Sequence, residues 1–348
     1  MKKNFAVMGY GGQGSWHTRQ IKASDVANLC GIYDIDPDKS KLALKNGIHA
    51  YSSLEDLLSD AAVQAVIVAV PNDCHKELVI KSLMAEKNVI CEKPVEMSVA
   101  AFDEMKNTAD RCEKLFTVHQ NRRWDVDFLA MKKIAESGEI GELINIESRI
   151  HGSRGIPSDW RGTKAHGGGM ILDWGVHLID QILQIIKEKI IKIYCTVTHI
   201  TNREVDDGFK LNLYFESGKT AYVEVGTYNF VAMPRFYMQC KNGSAIIENW
   251  QKNAQVYHMK AWNEKDVLPV HTAAGITKTM APRDEITLDI YEAHRPVSDV
   301  HDFYRNFCAA LDGKENLIVN AGEVRRVMQV MESCFDSAKR GQAIEVNI

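Results

Sequence analysis

The sequence predicts a chain of two α/β parts: an N-terminal parallel sheet covered by helices, and a C-terminal α+β part built on a large, mostly antiparallel open β-sheet. Two patterns predict this division. Short apolar runs alternate with amphipathic stretches up to about residue 120, whereas closely spaced β-patterned runs follow residue 190. The 348 residues suffice for two cores, and we expect domains of residues 1–121 and 122–348.

Five strands are predicted in the first part, at residues 5–8, 29–33, 65–70, 88–91 and 115–118. Their runs are continuously apolar, as expected where helices cover both faces of a parallel sheet. Helical stretches lie between them, near residues 15–23, 37–46, 73–86 and 98–112. Pro37 favours the first position of the second helix, which makes Asp36 a turn residue or the cap of that helix.

The pattern changes after Trp124. A polar helix up to about residue 137, a strand near 143–150 and a glycine-rich loop lead into an apolar stretch at 170–186. Runs at 192–200, 209–215, 220–225, 236–240 and 244–248, joined by turn signals such as Asn242-Gly243, predict the antiparallel sheet. Helices at 298–312 and 321–339 close the chain, and the last could pack back on the first part.

Composition excludes several classes of protein. Lys and Arg number 42 against 46 Asp and Glu, and the net charge of -4 comes without a basic tract, so we expect neither a nucleic-acid nor a membrane partner. Apolar runs of secretory or membrane-spanning length are absent from the sequence, which favours a cytoplasmic protein. The eight cysteines are scattered, and His151 and His166 have no matching ligand spacing, so no metal is expected.

A glycine-rich loop directly follows the first predicted strand. Its sequence Gly9-Tyr10-Gly11-Gly12-Gln13-Gly14 fits G-x-G-x-x-G and opens the first helical stretch. In such loops the first glycine permits the tight turn, the second lets the backbone approach a pyrophosphate, and the third allows close packing of helix and strand. The helix N-terminus offers unpaired N–H groups to the phosphates. The loop predicts a dinucleotide-binding Rossmann domain.

An acidic residue at the end of the second strand supports this interpretation. Asp34 lies twenty positions after Gly14, where a carboxylate can bind the ribose hydroxyls of the dinucleotide. It would repel the 2′-phosphate of NADP, and Ile35 offers no compensating charge. We therefore expect NAD, with NADP less favoured; the alternative is a structural turn with a surface aspartate.

Further motifs extend through both parts of the chain. In order, they are Ala65-Val66-Ile67-Val68-Ala69-Val70-Pro71-Asn72 with His75, Cys91-Glu92-Lys93-Pro94, His119-Gln120-Asn121-Arg122-Arg123, and Gly167-Gly168-Gly169-Met170-Ile171-Leu172-Asp173-Trp174-Gly175-Val176-His177-Leu178-Ile179-Asp180. Together they resemble the Gfo/Idh/MocA family of glucose-fructose oxidoreductases, inositol dehydrogenases and rhizopine-catabolism proteins.

The resemblance implies a catalytic group of Lys93, Asp173 and His177. It also implies that the peptide before Pro94 can be cis, and that the cofactor groove includes a further set of residues. With the loop and Asp34, the expected cofactor-binding residues are Gly9, Gly11, Gly12, Gln13, Gly14, Asp34, Pro71, Asn72, His75, Glu92, Lys93 and Gln120.

The three catalytic candidates suit alcohol oxidation. A histidine can take a hydroxyl proton near neutral pH, and a lysine at a strand end can stabilise the developing alkoxide. Asp173 and His177 are four residues apart and would share one face of a helix. Together with the family resemblance, which implies a sugar, sugar derivative or polyol as substrate, they predict hydride transfer between NAD and a secondary alcohol or ketone carbon. Alone, Asp-x-x-x-His is usually a solvated pair, and Lys93 could be a solvated lysine.

Trp160 and Arg161 precede the glycine-rich loop and are further substrate-binding candidates, beside Lys93, Asp173 and His177 themselves. Local packing or a surface salt bridge is the alternative for this pair. Asp180 and Tyr228 are weaker candidates. Arg122-Arg123 is expected to form a solvated or interdomain pair, with substrate contact as the minor alternative.

Two other functions remain open. One is glycoside processing, in which NAD is used transiently to oxidise a ring carbon before elimination. The other is a non-catalytic NAD-binding sensor, which the retention of all three catalytic candidates argues against. An open sheet must cover its outer face, so we expect a homodimer or homotetramer formed through the C-terminal sheet.

Overall fold

A computed structural model describes residues 1–260 and 267–348. Its first part contains five parallel strands: β1 (Lys3–Met8), β2 (Ala27–Tyr33), β3 (Ala65–Val68), β4 (Asn88–Cys91) and β5 (Phe116–Val118). The strands pair in the order β2-β1-β3-β4-β5. The strand order reverses beside β1, so the ends of β1 and β3 open a crevice in which α/β proteins bind ligands. The predicted parallel sheet is confirmed.

Five helices flank this sheet: α1 (Gly12–Ala23), α2 (Pro37–Lys45), α3 (Leu54–Ser59), α4 (His75–Met84) and α5 (Val99–Arg111). Helix α1 begins inside the glycine-rich loop, earlier than the apolar periodicity predicts. Helix α3 was not predicted, because six residues are too few to show a helical period. Asp36 is the cap of α2, and its side chain accepts a hydrogen bond from the Asp38 N–H.

The second part contains four helices and eleven strands within the described residues. They are α6 (Val126–Ser137), β6 (Leu143–His151), α7 (Val176–Ile185), β7 (Ile190–Thr198), β8 (Gly208–Phe215), β9 (Thr220–Gly226), β10 (Phe236–Cys240), β11 (Gly243–Ile247), β12 (Gln255–Met259), β13 (Val270–Thr272), β14 (Gly275–Thr277), β15 (Leu288–Glu292), α8 (Asp302–Leu311), α9 (Ala321–Arg340) and β16 (Ile344–Glu345).

Nine of these strands form one sheet in the order β15-β12-β11-β10-β6-β9-β8-β7-β16, while β13 and β14 pair separately. All neighbours in the large sheet are antiparallel except β6 and β9. The predicted large, mostly antiparallel sheet is therefore confirmed. The sequence reading did not predict strands β12, β15 and β16, which extend the sheet at its two edges.

Alternation along the central strands separates the two faces of this sheet. Along β8, Phe209, Leu211 and Leu213 are buried, whereas Lys210 between them is exposed. Helices α7 and α9 contact the buried side of the sheet. The sheet therefore has one apolar face under helices and one polar face, the usual arrangement for antiparallel strands.

The last two helices contact the first part as well as the second. The Phe307 ring of α8 lies 5.9 Å from the Phe5 ring of β1. Just before α9, the carbonyl of Val319 accepts a hydrogen bond from Thr117 of β5 at 2.8 Å. These contacts join the two parts. Among the described residues, none of the helices has both the length and the apolar composition needed to cross a membrane.

Candidate active site

A cavity of about 1540 Å³ lies where the carboxyl ends of β1, β3 and β4 face the second part of the chain. Its size exceeds that of an ordinary small-molecule pocket, so it can hold a dinucleotide and a second ligand together. Most of the predicted site residues line it. They are Gly9, Gly11, Gly12, Gln13, Asp34, Pro71, Asn72, Glu92, Lys93, Trp160, Arg161, Asp173 and His177.

The glycine-rich loop leaves its backbone open to this cavity. Gly9 has a φ of 88°, and a Cβ there would lie 2.3 Å from the carbonyl oxygen of Ala69. A Cβ at Gly14 would lie 1.9 Å from the carbonyl oxygen of Gly9, so the close packing of helix and strand requires glycine. In contrast, a Cβ at Gly11 or Gly12 would have no neighbouring atom within 4 Å. The loop therefore fits a pyrophosphate at the N-terminus of α1.

Asp34 is fixed by two backbone hydrogen bonds at the end of β2. One carboxylate oxygen accepts from the Tyr10 N–H at 2.6 Å, and the other from the Asp36 N–H at 2.8 Å. The neighbouring Ile35 side chain is exposed and carries no charge. Each carboxylate oxygen keeps a lone pair, so Asp34 can accept hydrogen bonds from ribose hydroxyls at the cavity wall.

Lys93 and Asp173 form a salt bridge between the two parts of the chain. The Lys93 ammonium donates to Asp173 Oδ1 at 2.8 Å and to the Asp173 carbonyl oxygen at 2.9 Å. Lys93 follows β4 and precedes a cis peptide bond to Pro94. Burial alone would raise the pKa of Asp173, but the nearby charges of Lys93 and Arg161 hold that pKa below its ordinary value. Asp173 is therefore ionised at neutral pH.

Asp173 lies in a π-helical turn, Ile171–Gly175, that leads directly into α7. The sequence suggests a regular helix here, and the structure departs from it by widening the turn that carries Asp173. Asp206 holds the start of this segment, because its Oδ2 accepts from the Ile171 N–H at 2.8 Å and its carbonyl from the Met170 N–H at 3.0 Å. Asp206 was not predicted as a site residue, since it is distant in sequence.

His177 is buried in the first turn of α7, and its Nδ1 has no hydrogen-bond partner within the described residues. Burial, followed by the positive charges of Lys93 and Arg122, lowers the pKa of His177 well below its usual value. The ring is therefore neutral at pH 7. A neutral, unpaired imidazole beside a lysine and an aspartate can accept a proton from a bound hydroxyl group.

Glu92 connects Lys93 to a buried network in the first part. Its Oε1 lies 2.8 Å from His17 Nε2 and 2.7 Å from His119 Nδ1, and it accepts from Gln13 at 3.0 Å. Its Oε2 accepts from the Lys93 N–H at 3.2 Å. Although burial opposes ionisation, the two histidines hold the pKa of Glu92 well below its usual value. The network therefore fixes the backbone that presents Lys93.

The ligand atoms of His17, Glu92 and His119 lie within 4.8 Å of one another, a spacing that could hold a metal ion. The sequence did not predict this group, because the three residues come from α1, the end of β4 and the end of β5. Hydrogen bonds from the two imidazoles already satisfy the carboxylate oxygen. Burial, with His119 as the second cause, lowers the pKa of His17 to about 4, and the Tyr304 hydroxyl lies 2.6 Å from its Nδ1.

Trp160 and Arg161 line the wall that the second part of the chain gives to the cavity, which we call the substrate side. The Arg161 guanidinium stacks on the Trp160 ring at 4.6 Å. It also forms ion pairs with Asp159 at 2.7 Å and with Asp173 at 3.3 Å. Arg161 therefore contributes both a local salt bridge and a charge next to the catalytic candidates.

An aromatic wall that the sequence did not predict completes this side of the cavity. The Trp174 ring stacks on the Trp250 ring at 6.0 Å, and the Arg122 guanidinium lies over Trp174 at 4.2 Å. Arg122 also donates to Asp125 at 2.9 Å. Trp174 lies between Asp173 and His177 in the sequence, and this position could have predicted that it lies at the site. Trp250 follows β11, and nothing in the sequence indicated its approach to α7.

Several candidates lie away from the cavity surface. The His75 ring is buried behind the wall, where its Nδ1 lies 3.0 Å from the carbonyl oxygen of Pro94 and its Nε2 lies 3.0 Å from that of Val70. Gln120 is also buried, and its Oε1 has no partner within the described residues. We therefore place both residues, like Gly14, beneath the cofactor groove rather than in its surface.

The weaker candidates also lie outside the cavity. Asp180 forms a buried, two-bonded salt bridge with Arg123, at 2.6 and 2.8 Å. Arg123 also pairs with Glu323 of α9, so this arginine joins elements of the fold. The Tyr228 ring is exposed and packs edge-on against Phe230.

Comparison with known proteins places this site in a family. The model described as an oxidoreductase family with an NAD-binding Rossmann fold matches residues 3–120, and the Gfo/Idh/MocA C-terminal domain model matches residues 128–246. The chain belongs to the Gfo/Idh/MocA oxidoreductase family. The resemblance drawn from the sequence motifs is thus confirmed, as is NAD as the cofactor of the Rossmann domain.

The solved structure of an NAD-binding protein from Listeria innocua is 40% identical and superposes with a TM-score of 0.96, covering 99% of this chain and 100% of that one. The scyllo-inositol 2-dehydrogenase (NADP(+)) of Bacillus subtilis is 25% identical over 97% of this chain and 94% of its own length. An uncharacterized oxidoreductase of Schizosaccharomyces pombe is 35% identical over 52% of this chain. This match spans 50% of the length of the yeast relative.

Proposed function

We propose that this oxidoreductase transfers hydride between NAD and a secondary alcohol or ketone carbon of a sugar, sugar derivative or polyol. The observation that carries the proposal is the Lys93–Asp173 salt bridge, which lies beside the neutral His177 in the cavity that the nucleotide loop also lines. The similarity to a scyllo-inositol dehydrogenase supports a polyhydroxylated substrate.

In this proposal each catalytic side chain has a separate task. When bound, NAD supplies the hydride acceptor, and the protein supplies proton transfer and orientation. His177 takes the proton of the substrate hydroxyl, because its pKa is low enough to keep the ring neutral. Lys93 holds the substrate oxygen and stabilises the charge that develops on it. Asp173 positions the Lys93 ammonium through the 2.8 Å hydrogen bond.

We further propose that the site prefers NAD over NADP. The Asp34 carboxylate is held in place by backbone N–H groups, and it would repel a 2′-phosphate. Ile35 next to it cannot neutralise that phosphate. The Bacillus subtilis relative carries NADP(+) in its name. The preference of this chain for NAD or NADP must therefore be measured directly.

The experiment that tests the function is a screen of NAD reduction by the purified protein against sugars and polyols, followed by identification of the product. Oxidation to a ketone with stoichiometric NADH supports the proposal. Cleavage of a glycoside without net NADH formation would instead support the glycoside-processing alternative. Tight NADH binding with no turnover of any compound would contradict the proposal and favour the sensor.

We also propose that the protein forms a homodimer or homotetramer through the C-terminal sheet. The outward face of β6, β8 and β9 carries a polar network in which Glu224 contacts Arg149, His151 and Lys210. The loop after β9 adds exposed apolar side chains, Phe230, Val231 and Met233. A second subunit would remove this apolar group from water.

A further inference from the structure

The substrate side of the cavity carries more positive than negative charge. Within the described residues that line it, Lys93 and the second part supply four cations but only two carboxylates. The cations are Lys93, Arg122, Arg154 and Arg161, and the carboxylates are Asp159 and Asp173.

Three of these cations already have a carboxylate partner. Lys93 pairs with Asp173, Arg161 with Asp159 and Asp173, and Arg122 with Asp125 outside the cavity wall. Arg154 differs, because its exposed side chain makes no ion pair or hydrogen bond with any described residue. The unbalanced charge of this wall is therefore located at Arg154.

The backbone on both sides of Arg154 is anchored to the sheet. The Gly152 N–H donates to the Gly226 carbonyl at 2.8 Å, and the Gly155 N–H donates to the Thr227 carbonyl at 2.8 Å. The Gly152 carbonyl in turn accepts from Asn229 at 2.7 Å. Because the backbone around Arg154 is already held in place, a ligand that pairs with Arg154 would have to order only the arginine side chain. This lowers the entropic cost of binding.

We propose that Arg154 binds a negatively charged substituent of the substrate, so that the site prefers a sugar or polyol bearing a carboxylate or a phosphate over its neutral counterpart. The proposal rests on the proposed function, because it assumes that the substrate occupies this side of the cavity. A guanidinium suits both groups, since its planar N–H donors match two oxygens of a carboxylate or phosphate.

The test measures binding and turnover separately. Calorimetry of the protein–NADH complex would use two matched sets of probes: glucose, glucuronate and glucose 6-phosphate, and myo-inositol with its monophosphate. NAD reduction would be followed with the same compounds. Arg154→Met keeps the aliphatic length of the side chain without its charge. Arg203→Met is the matched control, because Arg203 is also exposed and without a described partner but does not line the cavity.

We expect an anionic member of at least one set to bind about 10- to 100-fold more tightly than its neutral counterpart, the range of a charge-assisted hydrogen bond. Arg154→Met should remove this preference and leave neutral ligands and NADH unaffected, whereas Arg203→Met should change nothing. Preference for glucuronate alone identifies a carboxylate, and preference for the phosphate esters alone identifies a phosphate.

Three results would overturn the proposal: no anionic probe binds more tightly than its neutral counterpart, Arg154→Met weakens all ligands equally, or it weakens NADH binding instead. In the last case Arg154 contacts the cofactor. Failure of the proposed function gives a different pattern, in which the anionic preference and its loss in Arg154→Met persist but no compound reduces NAD.

Discussion

Replacing Lys93 by Met tests the proposed catalytic group directly. The variant loses both hydrogen bonds from the ammonium to Asp173, and it loses the donor that we place on the substrate oxygen. Removing one such oxyanion donor lowers turnover by about 10²- to 10³-fold. Because the two side chains are 18% and 11% exposed, loss of the salt bridge should also cost about 1–3 kcal/mol of folding free energy.

The pH dependence gives a second, independent signature of the same variant. After burial, the Lys93 charge is the next cause of the lowered pKa of His177. Removing that charge raises the pKa of His177, so the base becomes protonated at a higher pH. The acidic limb of the pH profile of kcat/KM should therefore move to higher pH in Lys93→Met.

The assay is NADH formation with the preferred substrate, measured across pH, together with NADH titration and thermal unfolding of each variant. Lys106→Met is a suitable control, because Lys106 forms an exposed pair with Asp110 on α5 and lies outside the cavity lining. A Lys93→Met protein that is folded, binds NADH and retains kcat/KM within a few-fold of wild type would refute the assignment of Lys93. An unmoved acidic limb would separately refute its electrostatic effect on His177.

Four further measurements test other parts of the structure. His177→Ala should lower kcat by about 10²- to 10⁴-fold with unchanged NADH affinity, and near-normal turnover would transfer the role of base to another group. Asp34→Ala should weaken NADH binding about 10- to 100-fold and reduce discrimination against NADPH; equal NADH and NADPH affinities in the wild type would contradict this assignment. Burial raises the pKa of Asp206 to about 7, so the contribution of this side chain to the free energy of unfolding falls as pH rises from about 4 to 7. In chemical denaturation across this pH range, the corresponding decrease should be absent from Asp206→Asn. Light scattering at micromolar concentration should give a dimer or tetramer, and Phe230→Asp should shift it towards monomer; a monomeric wild-type mass would exclude the oligomer.

The nucleotide-binding features of the first part of the chain could be predicted, because each of them depends on a short local sequence pattern. The turn at Gly9, the open backbone at Gly11 and the carboxylate of Asp34 all lie at strand ends that apolar runs already mark. Lys93 is similarly placed by the end of β4. These residues depend on short-range backbone geometry, which is what a motif encodes.

The cavity wall formed by the second part of the chain could be predicted less well, because its contacts join residues that are distant in sequence. Trp250 approaches Trp174, and Asp206 caps the turn at Ile171, through sheet register and loop packing that no local pattern specifies. The sequence also did not show that the His75 ring would be buried away from the cavity, between backbone carbonyl groups. A histidine is ambiguous in a sequence, since it can satisfy buried backbone groups as readily as a ligand.

The geometry explains why the proposed catalytic group needs both parts of the chain. Lys93 comes from the first part, where Glu92 fixes its backbone, whereas Asp173 and His177 come from the π-helical turn and α7 of the second. The salt bridge joins them, but Asp173 also pairs with Arg161 on the substrate side, so its charge is shared between two cations. Lys93 is thus only partly neutralised by Asp173. Burial is the main reason that the pKa of His177 is low, and the remaining field of Lys93 lowers it further. The same ammonium remains available to a substrate oxygen.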